Sequence, residues 1–208
     1  MEQKQKFPTE IVDLPSQGKL YPKESPLSKG SIEMKYMTAK EEDILTNQNY
    51  IQKGIVIDKL LKALIVDNTI NYNDLLIGDK NALLIAARIL GYGKDYEFEY
   101  AGEKEKIDLS LLNNKELNPE IKKAQGNSFN YTLPASGKVI TFKLLSHGDE
   151  IKIEQEVKGL KKINKESSAQ LSTRLKHIII AVNGDEDNKN IRAFVDNEFL
   201  ARDSRSFR

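Results

Sequence analysis

Two histidines are the side chains best suited to proton transfer at neutral pH in this chain of 208 residues. His177 stands beside a pair of isoleucines, and His147 stands at a predicted helix start. The imidazole of His177 could do acid–base work if it were paired with an aspartate or glutamate. Both positions favour a structural role, because one borders an apolar stripe and the other a helix end. The sequence has no Gly-x-Ser-x-Gly nucleophile elbow, and we expect no catalytic residue and no enzymatic activity.

Metal and cofactor sites have equally little support in the sequence. The chain has no cysteine and only two histidines, which excludes disulfides, thiolate zinc sites and a histidine-rich metal centre. The acidic run 185–190 resembles a calcium loop, but Lys189 is at its fifth position and Asn190 replaces the glycine at the sixth. Asp196 stands where a bidentate glutamate belongs. We therefore expect an acidic surface loop, with no metal, no cofactor and no residue that binds either.

A glycine-rich segment, Gly91 to Lys94, superficially resembles a phosphate-binding loop. It follows a predicted helix instead of a strand, and it lacks the spacing of the Walker motif. Helix termination is the better interpretation, with Gly91 ending the helix.

Nucleic-acid binding would require exposed aromatic side chains together with a basic surface. The chain carries 32 basic and 31 acidic residues, so its net charge of +1 gives no general attraction to phosphates. Glutamates surround the aromatic residues, and we expect these rings to serve core or cross-strand packing. The aromatic residues are Tyr92, Tyr96, Phe98, Tyr100, Phe129, Tyr131 and Phe142. Four lysines between 158 and 165 fit the C-terminal end of a helix dipole, with an acidic or nucleic-acid contact as the alternative.

The most apolar stretch, residues 54–93, predicts a packed helix pair at the centre of the fold. Leucines and isoleucines recur at helical spacing through residues 54–67 and predict the first helix. A second run, 82–90, is apolar nearly all round and should be buried on most sides. Asp79 is placed to cap this second helix.

Residues 1–30 predict an extended N-terminal arm, because this segment is rich in proline and glycine. Two alternatives remain for it: the arm packs on its own domain, or it adds to a partner protein. Apolar residues alternate over 32–36 and predict a strand. A capping box of Thr38 and Glu41 then starts a helix over residues 39–46.

Beyond the central helices the apolar period changes to two, and residues 95–145 predict a small antiparallel β unit of about four strands. Two amphipathic helices follow, one over about 147–164 and one that is capped near Ser167 and ends at Asn183. Their short link predicts an αα-hairpin. The last segment predicts a helix that is entered at Asp196 and should fray or dock on a partner.

Together these segments predict an α+β, mainly helical fold, with a core helix pair, a C-terminal αα-hairpin and a small antiparallel β unit between them. We divide the chain into an N-terminal arm (1–30), a helical core (31–94), a β unit (95–145) and a C-terminal helical segment (146–208). One domain with the β unit inserted is the expected arrangement. The first residues lack the apolar region of a secretory signal, and no apolar run could span a membrane. We therefore expect a protein that stays in the cytosol where it is made.

Five long stretches of the sequence stand in a fixed order along the chain. They are LPSQGKLYP at 14–22, MKYMTAKEEDILT at 34–46, GIVIDKLLKALIVD at 54–67, LLIGDKNALLIAARILGYGKDY at 75–96 and FLARDSRSFR at 199–208. Together they resemble the T4-like bacteriophage baseplate family of small hub subunits and hub assembly proteins. The resemblance covers most of residues 11–96 and is weaker through the predicted β unit.

The resemblance implies a non-enzymatic role in building the central hub of a contractile-tail baseplate. The partners would be other baseplate hub or tail assembly proteins, and a homo-oligomer is compatible with this role. The protein would act in the host cytoplasm during assembly, and it could stay in the virion tail baseplate. Two alternatives remain beside an assembly factor: a permanent structural subunit of the virion baseplate, and a nucleic-acid-binding accessory protein. Some members of the family carry paired cysteines in a further segment. This chain has none, so the resemblance implies no metal site.

Overall fold

The fold combines helices with small antiparallel sheets, and its computed structural model describes residues 8–113, 116, 119–123, 126–163 and 169–208. Over these residues the fold is α+β and mainly helical, which confirms the predicted class. The chain divides into two compact units. Unit 1 comprises Met1–Tyr72 and Gly78–Lys122, and unit 2 comprises Asn73–Ile77 and Lys123–Arg208. The finer division into four segments stays a prediction.

The N-terminal segment of unit 1 forms a β-hairpin with a long connecting loop. β1 (Thr9–Asp13) pairs antiparallel with β2 (Ser31–Lys35), and Val12 lies opposite Ile32. Ile32 and Met34 are both buried, because alternate residues of a strand share one face. The segment therefore packs on its own unit, which is the first of the two alternatives for the predicted arm.

The loop between β1 and β2, residues 14–30, is closely packed around two glycines. Gly18 and Gly30 have φ angles of 74° and 75°, in the left-handed region that favours glycine. A Cβ atom on Gly18 would lie 2.3 Å from the carbonyl oxygen of Ser28, so a larger residue would push the loop apart. Proline limits helix here to a 3-10 segment at Pro26–Lys29.

Helices form the remaining core of unit 1. They are α1 (Ala39–Thr46), α2 (Gln48–Gln52), α3 (Val56–Leu64) and α4 (Ile77–Tyr92). α1 has the predicted bounds, and α3 is shorter than the helix predicted over 54–67. Three leucines of α3 are buried at the predicted helical spacing. An ion pair of 2.6 Å between Lys80 and Asp58 joins α4 to α3, the two helices of the predicted pair. The prediction that the run 82–90 is buried on most sides is wrong, because only its Leu83 and Ala87 are buried.

A buried carboxylate, Asp79, holds the N-terminal loop against α4. It accepts hydrogen bonds from the Ser16 N–H (2.9 Å), the Ser16 hydroxyl (2.7 Å) and the Tyr21 hydroxyl (2.6 Å). The prediction that Asp79 is the N-cap is wrong, because α4 already begins at Ile77. Asp79 lies in the first helical turn, from where its side chain reaches the loop.

A second buried carboxylate, Glu41, fixes the start of α1 to the end of β2. It accepts hydrogen bonds from the Thr38 N–H (3.1 Å) and the Thr38 hydroxyl (2.6 Å), and Lys35 Nζ lies 2.7 Å away. The predicted capping box is therefore present. Burial would raise the pKa of Glu41, but these hydrogen bonds and the charge of Lys35 outweigh burial and lower the pKa to about 2.

The four strands predicted over residues 95–145 are present, but they form two separate hairpins. β3 (Asp95–Tyr100) pairs with β4 (Glu103–Asp108) in unit 1. The short helix α5 (Pro119–Lys123) follows in the sequence. β5 (Phe129–Thr132) then pairs with β6 (Val139–Phe142) in unit 2. Within the described ranges the two hairpins share no strand pairing, so the single β unit predicted over 95–145 is two sheets.

Unit 2 continues with α6 (His147–Ile163), α7 (Gln170–Ile178) and β7 (Ile179–Val182). The prediction that a helix runs to Asn183 is wrong, because β7 pairs antiparallel with β6. The β-branched residues of β7 suit a strand better than a helix. α6 and α7 contact each other, as the predicted αα-hairpin requires. The cap predicted near Ser167 and the lysine at 165 lie outside the described residues.

The last elements of unit 2 are α8 (Asn188–Asn197) and α9 (Ala201–Phe207). The prediction of a helix entered at Asp196 is wrong, because Asp196 lies within α8. The residue that caps α8 is Asp187, whose carboxylate accepts a hydrogen bond from the Lys189 N–H at 2.7 Å.

The end of the chain docks on its own unit. Asp203 of α9 is buried and accepts hydrogen bonds from the N–H groups of Ala135 (2.7 Å) and Ser136 (3.1 Å). The ring of Phe207 lies 5.1 Å from that of Phe142 in an edge-on arrangement. Near this contact is the core of unit 2, formed by Leu133, Ile140, Leu175, Ile179, Ile191, Phe194 and Val195.

Replacing the buried carboxylate Asp79→Ala should lower the free energy of unfolding by about 3 kcal/mol, because the donors of Ser16 and Tyr21 lose a charged acceptor. Tyr21→Phe removes one donor only and should cost about 1 kcal/mol. Urea unfolding measures both changes. Asp13→Ala at an exposed site is the control, with an expected change below about 0.5 kcal/mol. Equal losses for Asp79→Ala and Asp13→Ala would contradict the role given to Asp79.

The lowered pKa of Glu41 predicts a pH-dependent contribution to stability. Because the folded pKa of about 2 is below the ordinary value of 4.5, the contribution is present above pH 4.5 and is lost as the pH falls towards 2. Glu41→Gln should therefore lower the free energy of unfolding by roughly 1–3 kcal/mol near neutral pH and by roughly half of that or less near pH ~3. Urea unfolding of both proteins at the two pH values tests this, and a pH-independent difference would refute it.

Candidate protein interaction surface

The β3–β4 hairpin is the most exposed regular structure in unit 1. Its two strands are joined by a two-residue turn, Ala101–Gly102, in which both residues have positive φ (53° and 86°). Every residue of β3 is exposed, and so is every residue of β4 except the half-buried Asp108. In the described part of the chain, β3 and β4 pair only with each other. A two-stranded hairpin without further cover gains little stability from burial.

One face of this hairpin is aromatic. Residues directly opposite on paired strands share a face, and Tyr96 lies opposite Ile107. We call Tyr96, Phe98, Tyr100 and Ile107 the aromatic face. The side chains of Tyr96, Phe98 and Tyr100 are 42%, 36% and 71% exposed. The rings of Tyr96 and Phe98 stack with their centroids 6.0 Å apart, which arranges them side by side towards solvent.

The predicted packing role of the aromatic residues holds in one unit and fails in the other. In unit 2, Phe129 lies opposite Phe142 with ring centroids 5.5 Å apart, which confirms cross-strand packing. In unit 1, Phe98 and Tyr100 lie opposite Glu105 and Glu103. Because glutamates take the cross-strand positions, the aromatic rings of β3 are left exposed.

The hairpin also carries a strong negative charge. Residues 95–108 hold six acidic side chains and two lysines, which is a net charge of −4. Glu103 and Glu105 lie on the aromatic face itself. The opposite face pairs Glu97 with Lys106 and Glu99 with Lys104, so its charges partly compensate each other. An exposed aromatic face bordered by carboxylates is the result.

Arg88 and Lys94 fix the base of the hairpin to the end of α4. Arg88 donates hydrogen bonds to the carbonyl oxygens of Gly93 (3.0 Å) and Asp95 (3.3 Å). Its guanidinium group also lies 5.6 Å from the ring centre of Tyr96. Lys94 Nζ lies 2.8 Å from Asp108, and hydrogen bonds from Lys94 and Ser110 lower the pKa of Asp108 to about 2. The prediction that Gly91 ends the helix is wrong, because α4 continues to Tyr92 and is followed by Gly93 with a φ of 80°. Lys94 in the same segment makes a structural ion pair.

A second surface feature, which we call the apolar cavity, lies in unit 2. It has a volume of about 440 Å³. Its walls come from β5, β6, α7 and α9 and include Tyr131, Phe142, Leu144, Leu171, Leu175 and Phe207. The cavity lies within the range of about 300–1,000 Å³ found for small-molecule sites. The cavity is therefore large enough to enclose an aromatic side chain.

Charged side chains complete the lining of the apolar cavity. Three are basic, Lys143, Arg174 and Arg208, and one is acidic, Glu150. Arg174 binds Glu150 through two parallel hydrogen bonds of 2.6 and 2.8 Å. The side chain of Arg174 is nevertheless 40% exposed, so it also faces solvent. Lys143 is likewise paired, with Asp149 at 2.8 Å, so Arg208 is the basic side chain of the lining that is left to give a positive charge.

Both histidines lie in structural surroundings. His177 Nε2 lies 3.0 Å from Glu156, which also accepts a hydrogen bond of 2.6 Å from Arg192. This arrangement ties α7 and α8 to α6 through one carboxylate. His147 is buried, and its backbone N–H bonds to the carbonyl oxygen of Leu75 at 2.7 Å. The structure does not bring the two histidines to either the aromatic face or the lining of the apolar cavity.

The calcium-like run 185–190 builds the start of α8. Asp185 accepts hydrogen bonds from the Asp187 N–H (2.9 Å) and from the Asn190 amide (2.8 Å), and these bonds lower its pKa. Across the described ranges, no group of three His, Cys, Asp or Glu side chains converges as a metal site would require. No helix in these ranges has both the length and the apolar character needed to cross a membrane.

Comparisons with models of protein families, with curated proteins and with solved structures give no match to this chain. Its surfaces must therefore be interpreted from their own chemistry. Sequence reasoning missed both the exposure of the aromatic face and the apolar cavity. The sequence of β4, EKEKID, does indicate the exposure of the aromatic face, because it contains only one apolar residue that could cover the rings of β3. The cavity is lined by residues that are far apart in the chain, so no local sequence pattern predicts it.

The exposure of the aromatic face predicts that its rings contribute little to folding. The double variant Phe98→Thr, Tyr100→Thr keeps β-branched residues in the strand, and its free energy of unfolding should change by less than about 0.5 kcal/mol. The buried control Leu83→Ala in α4 should lose about 2–5 kcal/mol. Urea unfolding measures both. A loss for the double variant as large as that for Leu83→Ala would mean that the rings are core residues.

Proposed function

We propose that this protein acts, without enzymatic activity, in assembling the central hub of a bacteriophage tail baseplate through protein–protein contacts. The resemblance of the five sequence stretches to baseplate hub proteins supports the choice of this system. The observation that carries a contact role is the aromatic face of the β3–β4 hairpin.

Exposed aromatic rings are costly for a monomer and useful for a binding protein. Rings grouped on one face leave apolar area in water, and such patches mark interaction sites. Tyrosine is also among the residues most enriched at the energetic centres of interfaces. The rings of Tyr96 and Phe98 are already stacked, so a partner would meet a surface that needs little reordering. These properties support contact with another protein as the work of the hairpin.

The charge of the hairpin favours a protein partner over a nucleic acid. Aromatic side chains can stack on bases, but such sites combine the rings with a positive groove for the phosphates. The hairpin carries a net charge of −4 over residues 95–108, which repels a phosphate backbone. We therefore prefer the assembly role to that of a nucleic-acid-binding accessory protein.

Capture of baseplate proteins tests this proposal. The tagged protein, purified from cells in which the phage is assembling, should carry hub or tail assembly proteins that mass spectrometry identifies. The variant Phe98→Thr, Tyr100→Thr should reduce this capture at least tenfold, about the loss expected from removing the centre of an interface. Ile11→Thr, in an equally exposed apolar position of β1 (70% exposed), is the control and should capture normally.

Two results would count against the proposal. Equal capture by both variants would remove the hairpin from the contact, and capture of no tail protein would remove the baseplate itself. Mass spectrometry of purified virions separates the two forms of the role. Stoichiometric presence in finished particles would make the protein a permanent baseplate subunit instead of an assembly factor.

A further inference from the structure

We propose that the aromatic face of one copy of this protein inserts into the apolar cavity of a second copy, so that the chain associates with itself head to tail. This inference rests on the proposed function in one respect, that the aromatic face is a contact surface. It goes further by naming the occupant of the apolar cavity and the first partner of the hairpin.

The sizes of the two surfaces match. Tyr100 is the most exposed ring of the aromatic face, at 71%, and it directly precedes the two-residue turn. It therefore stands at the tip of the hairpin, where it can enter a concave site first. The apolar cavity encloses about 440 Å³ between aromatic and aliphatic walls. A tyrosine ring that enters such a site exchanges water for apolar side chains, including those of Leu171 and Phe207.

The charges of the two surfaces are complementary. Glu103 and Glu105 flank the rings of the hairpin, whose net charge is −4 over residues 95–108. Two of the three basic side chains in the lining are already paired with carboxylates, Lys143 with Asp149 and Arg174 with Glu150. Arg208 bonds through Nε to the neutral carbonyl oxygen of Ser204, so this interaction leaves its charge uncompensated. The glutamates of the hairpin would supply carboxylates next to that charge.

The same charges disfavour a symmetric contact between two hairpins. In a two-fold dimer the same patch of each copy meets itself. Two aromatic faces placed together would bring Glu103 and Glu105 of one copy towards the same glutamates of the other, without a lysine on that face. Like charges held together in an interface weaken it. A contact that places the hairpin glutamates beside Arg208 of the apolar cavity avoids this repulsion.

A head-to-tail contact leaves every dimer with one unused hairpin and one unused cavity. Further copies can then add, and the assembly closes into a ring or continues as a chain according to the rotation between copies. This property gives the proposal a signature that a symmetric dimer lacks: one variant can lose the hairpin and another the cavity, and the two can still pair with each other.

Analytical ultracentrifugation of the whole protein tests the inference through three variants. The hairpin variant is Phe98→Thr, Tyr100→Thr. The cavity variant is Leu171→Glu, which places a negative charge at a half-exposed position of the lining. The control is Val139→Glu, which adds the same charge at a similarly exposed position of unit 2 outside the lining. Thermal melts that match the parent protein establish that each variant is folded.

The average mass of the parent protein should rise above 23.6 kDa as its concentration increases, and that of Val139→Glu should rise equally. The hairpin and cavity variants should each remain monomeric. An equimolar mixture of these two variants should form a complex of two chains and nothing larger. The association should weaken as salt is added, because its charged contacts lie near the surface.

A parent protein that stays monomeric at every concentration would overturn the inference, as would a mixture of the two variants that stays monomeric. Self-association that survives in either variant would also overturn it. The proposed baseplate role can fail separately. If the parent protein is monomeric but its hairpin still captures tail proteins, the assembly function stands and the occupant of the apolar cavity is wrong. If the two variants pair in the mixture but no tail protein is captured, the self-association stands and the proposed baseplate role is wrong.

Discussion

The hydrogen bonds of Asp79 are the interaction on which unit 1 depends most. A carboxylate that is 1% exposed must find donors, because burial without them is costly. Asp79 finds them in one loop, through Ser16 and Tyr21. The bonds therefore fix the loop between β1 and β2 on the first turn of α4.

The two hairpins of unit 1 contrast in how they are stabilised. β2 buries Ile32 and Met34 completely, and its connecting loop is closed by a buried carboxylate. The β3–β4 hairpin has no comparable burial among its described residues, and it relies on Arg88 and on the pairing of exposed charges. Such surface pairs contribute little each. Local opening of β3 and β4 should thus be easier than opening of β1 and β2.

The sequence predicted best those features that local chemistry determines. The bounds of α1 follow from a capping box within four residues, and Thr38 and Glu41 need no distant partner to form it. Asp79 was misread because its position resembles a cap, whereas its donors lie in a loop about 60 residues away. β7 was misread for the same reason. The spacing of its apolar residues is compatible with the apolar side of a helix. In the fold, however, β7 pairs with the free edge of β6 and forms a strand.

The aromatic face also shows that a local sequence pattern does not determine which side chains are buried. Alternation correctly placed Tyr96, Phe98 and Tyr100 on one side of a strand. The step from that pattern to a buried core assumed that another element would cover the rings. Whether cover exists depends on the fold, and β4 brings glutamates to the cross-strand positions instead. A period-two pattern without cover leaves its apolar side chains in water, as at this hairpin. The failure of the packing prediction at this hairpin is therefore also the observation behind the proposal of a contact role for it.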